Sequence, residues 1–233
     1  MNRIKYLANS RNSNPREVVK TAGKIAIRTH LLKPGDNIVE VVERYIKNIG
    51  SPGDLIAICE SVVAITQGRI FLPSEVRAGI LASFLCRFTG RHGSLTSPAA
   101  MQLAVNEVGR FRILWGAALG ALGKLMGKKG LFYHIAGRQA ALIDDVAGTM
   151  PPFERHIILG PRDAQGLARA IWERTGIDTV IVDVNNLRCV DIIGASRGID
   201  QRLVVTLLED NPSGNYDEQT PITLIKNYRE RRW

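Results

Sequence analysis

A run of strand-forming residues that ends in oxygen-bearing side chains constrains this chain more than any other feature. Thr179 to Val182 is a short β-branched run, which is typical of a buried strand. It leads directly into Asp183, Asn185 and Asn186, which are poor strand formers. Carboxylate and amide oxygens at the end of a rigid strand commonly hold a hard cation and its phosphates. The local motif also fits a plain strand that closes in an Asx turn.

A second polar loop, Asp210 to Gln219, follows another run that is predicted to be a buried strand. Backbone amides near Gly214 are suited to binding a phosphate, as in nest-type anion sites. The side chains of Asp217, Glu218 and Gln219 are placed to meet a metal or a purine edge beside them. The alternative is a solvated hairpin loop.

The remaining patterns predict an α/β (α+β) fold, with mixed sheets and flanking helices. Strands are predicted at Lys24–Leu32, in the apolar run Leu55–Ile65, and at Gln67–Phe71, Leu131–Ala136, Arg155–Leu159, Thr179–Val182, Val190–Ile193, Leu203–Leu207 and Pro221–Ile225. Helices are predicted at Ile38–Ile49 behind an Asp36 cap, Pro73–Phe88, Pro98–Val108 behind a Ser97 cap, Phe111–Met126 and Ala164–Thr175.

Several kinds of site are excluded by what the sequence lacks. The three cysteines are isolated in apolar runs, and an odd number argues against a disulfide framework. With no apolar signal segment at the start, the chain is predicted to be cytoplasmic. It has no phosphate loop, dinucleotide fingerprint or nucleophile elbow, and its histidines stand alone. Carboxylate chemistry remains, with the pair Asp144 and Asp145 as further candidates near a predicted loop.

Positive charge is concentrated in a few segments. The chain carries a net charge of +9. Residues 1–22 are predicted to form a basic arm, and the segment from Arg110 to Arg138 has no acidic residue. Such patches suit polyanions, which include nucleotide phosphates, nucleic acid, acidic proteins and anionic lipid. The charges do not choose among them, and ordinary solvated surface charge explains them equally well.

One predicted helix carries a stripe of glycines. Gly116, Gly120 and Gly123 lie on one face of Phe111–Met126, so that another helix can approach closely. This helix is predicted to be buried or to form a homodimer contact. A membrane-surface helix is the alternative, supported by Trp115 and the flanking lysines.

Six short segments are spread in order over most of residues 25–225: Leu32–Asp36, Gly53–Arg69, Tyr133–Gly137, Leu159–Gly166, Val180–Arg188 and Gly214–Pro221. In this order they resemble the coenzyme F-420-0:L-glutamate ligase (gamma-glutamyl ligase) family. The resemblance implies a gamma-glutamyl ligase-like fold over 23–233, in which we place a helical insertion at about 73–130. It also implies a GTP-dependent ligase that needs Mg²⁺ or Mn²⁺, activates an acid as an acyl phosphate and joins it to L-glutamate.

The resemblance assigns roles to particular residues. It places Asp183 on a metal aspartate and Ser61 in the strand that approaches the nucleotide. Asp144 and Asp145 are candidate partners of Asp183, Arg69 and Arg138 are candidates to balance phosphate charge, and no catalytic residue is assigned. The late loop that it implies for the nucleotide comprises Gly214, Asn215, Asp217, Glu218 and Gln219.

The chain departs from the family pattern at three positions. Ile65 stands where the family has a nucleotide-contacting lysine, Gln139 where it has a metal aspartate, and Val184 where it has a threonine. An amide binds a cation less strongly than a carboxylate, and a lost lysine removes charge from the phosphates. The second hypothesis is therefore a non-catalytic basic binding module on the same scaffold, which docks on nucleic acid or an acidic protein.

Overall fold

The computed structural model of the chain describes residues 18–21, 23–89, 94–128, 130–146, 152–185, 188–214 and 218–231. The chain divides into two compact units, and the predicted basic arm lies outside the described residues apart from the backbone at 18–21. Unit 1 comprises Met1–Gly68 and Pro161–Trp233, and unit 2 comprises Arg69–Gly160.

The described residues form eight strands and nine α-helices, five of which follow one another between β4 and β5. The strands are β1 Val18–Thr21, β2 Lys24–Ile27, β3 Leu55–Cys59, β4 Ile70–Phe71, β5 Ile157–Ile158, β6 Asp178–Val184, β7 Val190–Ala195 and β8 Ile222–Ile225. The helices are α1 Ile38–Ile46, α2 Glu60–Thr66, α3 Ile80–Leu85, α4 Pro98–Val108, α5 Arg110–Leu125, α6 Leu131–Ala136, α7 Arg138–Ala141, α8 Ala164–Thr175 and α9 Gln201–Leu208.

Unit 1 is built on one mixed sheet. Its described strands lie in the order β1-β2-β8-β3-β6-β7, and only the β3–β6 pair is parallel. Side chains alternate between the two faces, as the period of a strand requires. Ile58 and Ile181 pack into one core with α1 and α8, whereas Val180 and Val182 pack into a second core with α9. This arrangement confirms the predicted α/β (α+β) class.

Ion pairs anchor the start of β6 and the turn before β3. The buried carboxylate of Asp178 accepts two hydrogen bonds from the Arg229 guanidinium, at 3.0 and 2.9 Å. The buried carboxylate of Asp54 accepts one from the Asn227 amide at 2.9 Å and one from Lys226 Nζ. The end of the chain that follows β8 therefore holds both strands at the side of the sheet where β3 and β6 begin.

Two predicted strands are wrong, because both segments are helices. Residues 131–136 form α6 and residues 203–207 lie within α9. The N-cap of α9 is Asp200, whose carboxylate accepts hydrogen bonds from the amides of Arg202 and Leu203 at 3.0 and 3.1 Å. That cap commits the apolar residues after it to a helical period, which outweighs their β-branched composition.

Other boundaries also differ from prediction. The predicted helix Pro73–Phe88 is α-helical only at Ile80–Leu85, with short 3-10 helices at Pro73–Glu75 and Cys86–Phe88. The apolar run Leu55–Ile65 divides into β3 and α2, because Glu60 begins a helix directly after the strand. Helix α1 is capped by Asn37, whose side chain accepts from the amide of Val39 at 3.1 Å. The carboxylate of Asp36 instead accepts from the amide of Lys33 at 2.7 Å and closes the turn before the helix.

Unit 2 is mainly helical around a separate apolar core, with β4 and β5 as a small antiparallel pair. The glycine stripe of α5 packs against α6 in the same chain. A Cβ atom on Gly120 would lie 3.0 Å from the Cβ of Phe132, and one on Gly116 would lie 3.2 Å from the Phe132 carbonyl oxygen. The close helix approach is therefore intramolecular, and the homodimer through this helix stays a prediction.

Candidate active site

One edge of the unit 1 sheet collects the ends of five strands. The strands β2, β3 and β6 run in one direction, and β7 and β8 run in the other. Ile222 at the start of β8 lies between Ile27 and Ile58 at the ends of β2 and β3, and Cys59 pairs with Val182 of β6. We call this edge the polar edge and define it as residues 28–30, 59–61, 183–185, 190–191, 211–214 and 218–221.

Two carboxylates face each other at this edge. Asp183 of β6 and Asp191 of β7 are register partners, and directly opposed residues of an antiparallel pair project from the same face. Both are exposed to solvent. Partial desolvation by the surrounding protein raises the pKa of Asp183, and the negative charge of Asp191 raises it further. A cation bound between them would relieve this repulsion.

The thiol of Cys59 lies between the loop before β8 and the end of β6. Burial raises its pKa to about 11, and the charges of Asp183 and Glu60 act in the same direction. A hydrogen bond with the Ser213 hydroxyl lowers it by less. The thiol is therefore protonated at neutral pH and is not a nucleophile. Its neighbours show that the 211–214 segment and Asp183 approach the same side chain.

The loop before β8 has a strained backbone. Asn211 and Gln219 adopt positive φ angles of 46° and 53°, and Gly214 has φ of 70°. The amide of Gly214 donates to the carbonyl of Asn211 at 3.1 Å, which closes a tight turn. A Cβ atom on Gly214 would lie 2.6 to 2.8 Å from the carboxyl group of Glu218, so a larger residue would displace that carboxyl group, and the positive φ independently favours glycine.

Hydrogen bonds tie the same loop to the sheet. The amide of Thr29, after β2, donates to the carbonyl of Gln219 at 3.0 Å. The hydroxyls of Ser213 and Thr223 share a hydrogen bond at 2.9 Å. These contacts hold the described parts of the loop at the polar edge. The predicted ligands Asn215 and Asp217 lie outside the described residues.

Two further side chains enter the edge from α2. The carboxyl group of Glu60 is buried at the first position of the helix. Ser61 is the next residue and is half-buried. Both follow Cys59 directly, so they lie between the Asp183 end of β6 and the loop that precedes β8. The role of Ser61 as a nucleotide contact stays a prediction.

We expect Asp183→Asn to stabilise the metal-free protein at neutral pH, by no more than about 1 kcal/mol because the side chain is exposed to solvent. The pKa of Asp183 in the folded protein is raised above its ordinary value of 3.8, so its ionised form costs stability above that raised pKa. Well below pH 3.8 the group is protonated in both states, and the advantage should disappear. Urea denaturation with a chelator measures the free energy of unfolding of the variant and the wild type at neutral and at acidic pH. A variant less stable than the wild type at neutral pH would contradict the interpretation.

In unit 2, Arg69 is buried and bound to protein groups. Its Nε donates to the Gly160 carbonyl at 2.6 Å, and its terminal nitrogens donate to both carboxylate oxygens of Glu107, at 3.4 and 2.9 Å. One of them also donates to the amide oxygen of Gln139 at 3.4 Å. The predicted phosphate contact of Arg69 stays a prediction, whereas its structural contacts are clear.

The other predicted residues of unit 2 are spread over separate elements. Asp145 accepts hydrogen bonds from the Thr96 hydroxyl at 2.7 Å and from the Ser97 amide and hydroxyl at 2.6 and 2.7 Å, so it supports the start of α4. The backbone of Asp144 bridges to Ile158 of β5. Arg138 is exposed at the first position of α7. Their proposed metal and phosphate roles stay predictions.

Comparison with known families decides the relationship of this chain. A model of the F420-0:gamma-glutamyl ligase family matches residues 26–202, which is most of the chain. The chain belongs to the F420-0:gamma-glutamyl ligase family. The match covers the end of β2 and all of β3, β6 and β7, which contribute to the polar edge, and confirms the resemblance drawn from the sequence. A search among proteins of curated function found no match.

The departures from the pattern of the gamma-glutamyl ligase family take specific places in the structure. Ile65, at the position of the family lysine, is buried in α2. Gln139, at the position of the metal aspartate, contacts the Arg69 guanidinium through its amide oxygen. Val184 is the last residue of β6. The amide of Gln139 is neutral, so this position carries one negative charge fewer than an aspartate would supply.

In this member of the gamma-glutamyl ligase family, the oxygen ligands at the ends of β6 and β7 fit a small hard cation. Mg²⁺ and Mn²⁺ commonly bind through one or two carboxylates and complete their shell with phosphates and water. Asp183 and Asp191 are such a pair. Over the parts of the chain that the structure describes, no cluster of three or more His, Cys, Asp and Glu residues is arranged to hold a metal.

Sequence reasoning missed two of the edge residues. Asp191 was one acid among several near strand ends, and only its register with Asp183 sets it apart. Glu60 gave a usable signal, because it is a charged residue inside the otherwise apolar run Leu55–Ile65. A buried acid that directly follows a buried strand is a signal of a strand-end site.

Proposed function

We propose that this protein is a GTP-dependent and divalent-metal-dependent ligase, which forms a glutamyl amide bond on an acidic acceptor such as F420-0. Membership of the family supports the ligase class. The observation that carries the rest is the polar edge, where Asp183, the register partner of Asp191, and Ser213, next to Gly214 in the strained loop, both approach Cys59.

The proposed reaction has two steps. A carboxylate oxygen of the acceptor attacks the γ-phosphorus of GTP, the bond to the GDP oxygen breaks, and an acyl phosphate forms. The amine of L-glutamate then attacks the acyl carbon, phosphate leaves with the bonding electrons, and the amine loses a proton as the amide forms. A bound Mg²⁺ or Mn²⁺ would neutralise phosphate charge during the first step.

The residues of the chain would bind and orient the substrates. Asp183 and Asp191 would hold the cation, because a paired donor set at one strand end matches the coordination habits of Mg²⁺ and Mn²⁺. The Gly214 amide is used by the Asn211 carbonyl, so other backbone amides of this loop would bind the phosphate oxygens. Asp183 and Asp191 lie on paired strands, which fixes their register before a cation binds.

Titration calorimetry of the full chain with GTP or ATP, in the presence of Mn²⁺ or Mg²⁺, tests the nucleotide step. We expect binding that requires the cation and is lost with a chelator. A second assay measures phosphate released from GTP when F420-0 and L-glutamate are added together or singly. We expect release only with both. Absence of any nucleotide binding with either cation would overturn the proposal.

The second candidate, a non-catalytic basic binding module, is favoured by the contacts at the departure positions. Gln139 is bound to Arg69 instead of providing a carboxylate, and Ile65 is buried where the family has a lysine. Exposed Arg110 and Lys128 supply positive charge. This function predicts affinity for generic RNA or DNA that falls steeply with salt and does not change in Asp183→Ala.

A further inference from the structure

The long helix of unit 2 presents an apolar face to solvent. In α5, Phe111 is 75% exposed, Trp115 is 64% exposed and Leu125 is 87% exposed. We call this surface the outward face of α5. It comprises Phe111, Leu114, Trp115, Leu122, Leu125 and Met126. At about 100° per residue these residues fall within an arc of about 120°, which places them in one stripe along a helix of about 24 Å.

The opposite side of α5 is buried against α6. Ile113, Gly116 and Gly123 are buried, and a Cβ atom on Gly123 would lie 2.9 Å from the Leu131 side chain of α6. Because α6 fills the glycine face, α5 cannot rotate to bury its apolar stripe within unit 2. Exposed apolar area of this size on a helix indicates a surface that binds something.

Two arginines flank the stripe, and α5 itself contains no Asp or Glu. At the helical spacing of about 100° per residue, Arg110 falls on one side of the outward face and Arg112 on the other, whereas Lys124 falls on the side away from it. All three are exposed, as is Lys128 just beyond the helix. The Arg112 side chain donates to the Ile135 carbonyl at 3.0 Å, which orients it at the end of α6. From Arg110 to Ile143 the sequence contains no Asp or Glu.

The positive charge beside the outward face of α5 indicates which kind of partner binds there. If two copies of the chain paired through the outward face, the same cations would come together, because a two-fold interface repeats one patch on both sides. An anionic bilayer surface instead offers acyl chains for the apolar stripe and phosphate groups for the flanking cations. Trp115 has the amphipathic ring that is favoured at the interface between membrane and water.

We propose that the outward face of α5 docks the protein on an anionic lipid surface, with the helix axis parallel to the membrane plane. The apolar stripe enters the boundary between headgroups and acyl chains, and Arg110 and Arg112, which flank the stripe, contact lipid phosphates. Ile80 and Phe84 of α3, which are 92% and 55% exposed in the same unit, add to its exposed apolar side chains. The docking surface belongs to unit 2, whereas the polar edge belongs to unit 1.

Vesicle flotation of the full chain tests this proposal. The probes are vesicles of phosphatidylcholine alone and of phosphatidylcholine mixed with phosphatidylserine. We expect binding to the anionic vesicles that weakens with salt, and a loss of at least about tenfold in Trp115→Glu because apolar area is removed and an anion is introduced. Arg110→Gln should weaken binding by about fivefold, the contribution of one surface cation.

Two matched variants serve as controls. Val205→Glu changes an apolar residue of α9 that is 37% exposed, and Arg202→Gln removes an exposed cation from the same helix. Both should bind vesicles as the wild type does, with unchanged circular dichroism for all four variants. The proposal is overturned if no vesicle is bound, or if Trp115→Glu binds as well as Val205→Glu. It is also overturned if sedimentation shows a dimer that Trp115→Glu dissociates while the wild type ignores vesicles.

Discussion

Asp183→Asn should weaken cation-dependent GTP binding by at least about 100-fold, because an amide replaces a charged ligand where the proposed site has only two carboxylates. The substitution keeps the shape of the side chain and removes its charge. Titration calorimetry at neutral pH with saturating Mn²⁺ measures the change. The same variant is expected to be slightly more stable without metal, so lost binding cannot be explained by unfolding.

The matched control for this experiment is Glu173→Gln. Glu173 is an exposed acid on α8 whose carboxylate pairs with Arg169 at 2.8 Å on the helix surface. It should bind GTP as the wild type does. Equal affinity of Asp183→Asn and the wild type would remove Asp183 from the proposed nucleotide site. Equal weakening in both variants would indicate a general charge effect instead of a specific ligand.

The second large effect is expected at Arg69. Arg69→Ala should lower the free energy of unfolding by about 3–5 kcal/mol, because it leaves a buried acid without its cation. The side chains of Arg69 and Glu107 are only 7% and 16% exposed. The Gly160 carbonyl also loses its hydrogen bond from Arg69. Urea denaturation followed by circular dichroism measures the change.

A double variant separates the contribution of the ion pair from that of the buried volume. Replacing Arg69 with Met and Glu107 with Leu removes both charges, so its loss of stability should be smaller than that of Arg69→Ala. If Arg69→Ala were fully stable but failed to bind GTP, Arg69 would be a phosphate ligand and not a structural ion-pair residue. The measurement therefore decides between the sequence prediction and the observed contacts.

Helices with strong end signals were predicted well. Ala164–Thr175 and Pro98–Val108 match α8 and α4 at both ends. In each case a polar side chain accepts from an amide of the first turn, Asp163 at 2.9 Å and Ser97 at 3.1 Å. Caps and apolar periodicity act over a few residues, so they can be read without knowledge of the tertiary structure.

The wrong elements show the limit of such patterns. Residues 203–207 have strand-forming composition but form α9, which covers the second core of unit 1 through Val204 and Leu208. A short apolar run buries equally well as a strand or a helix, and periodicity over so few residues does not separate them. Packing of this segment against one face of the unit 1 sheet decides that it is a helix.

The local chemistry of the polar edge was determined by the sequence: a buried strand that leads into Asp183, and a later polar loop that contains Gly214 and Glu218. Only the tertiary structure decided that Asp191 is the register partner of Asp183. It also decided that β8 and β6 lie on opposite sides of β3 in the sheet. Neighbouring strands lie about 4.8 Å apart, so the order of strands sets which polar ends come within reach of one ligand. Strand order depends on contacts between distant segments, which a local pattern does not contain.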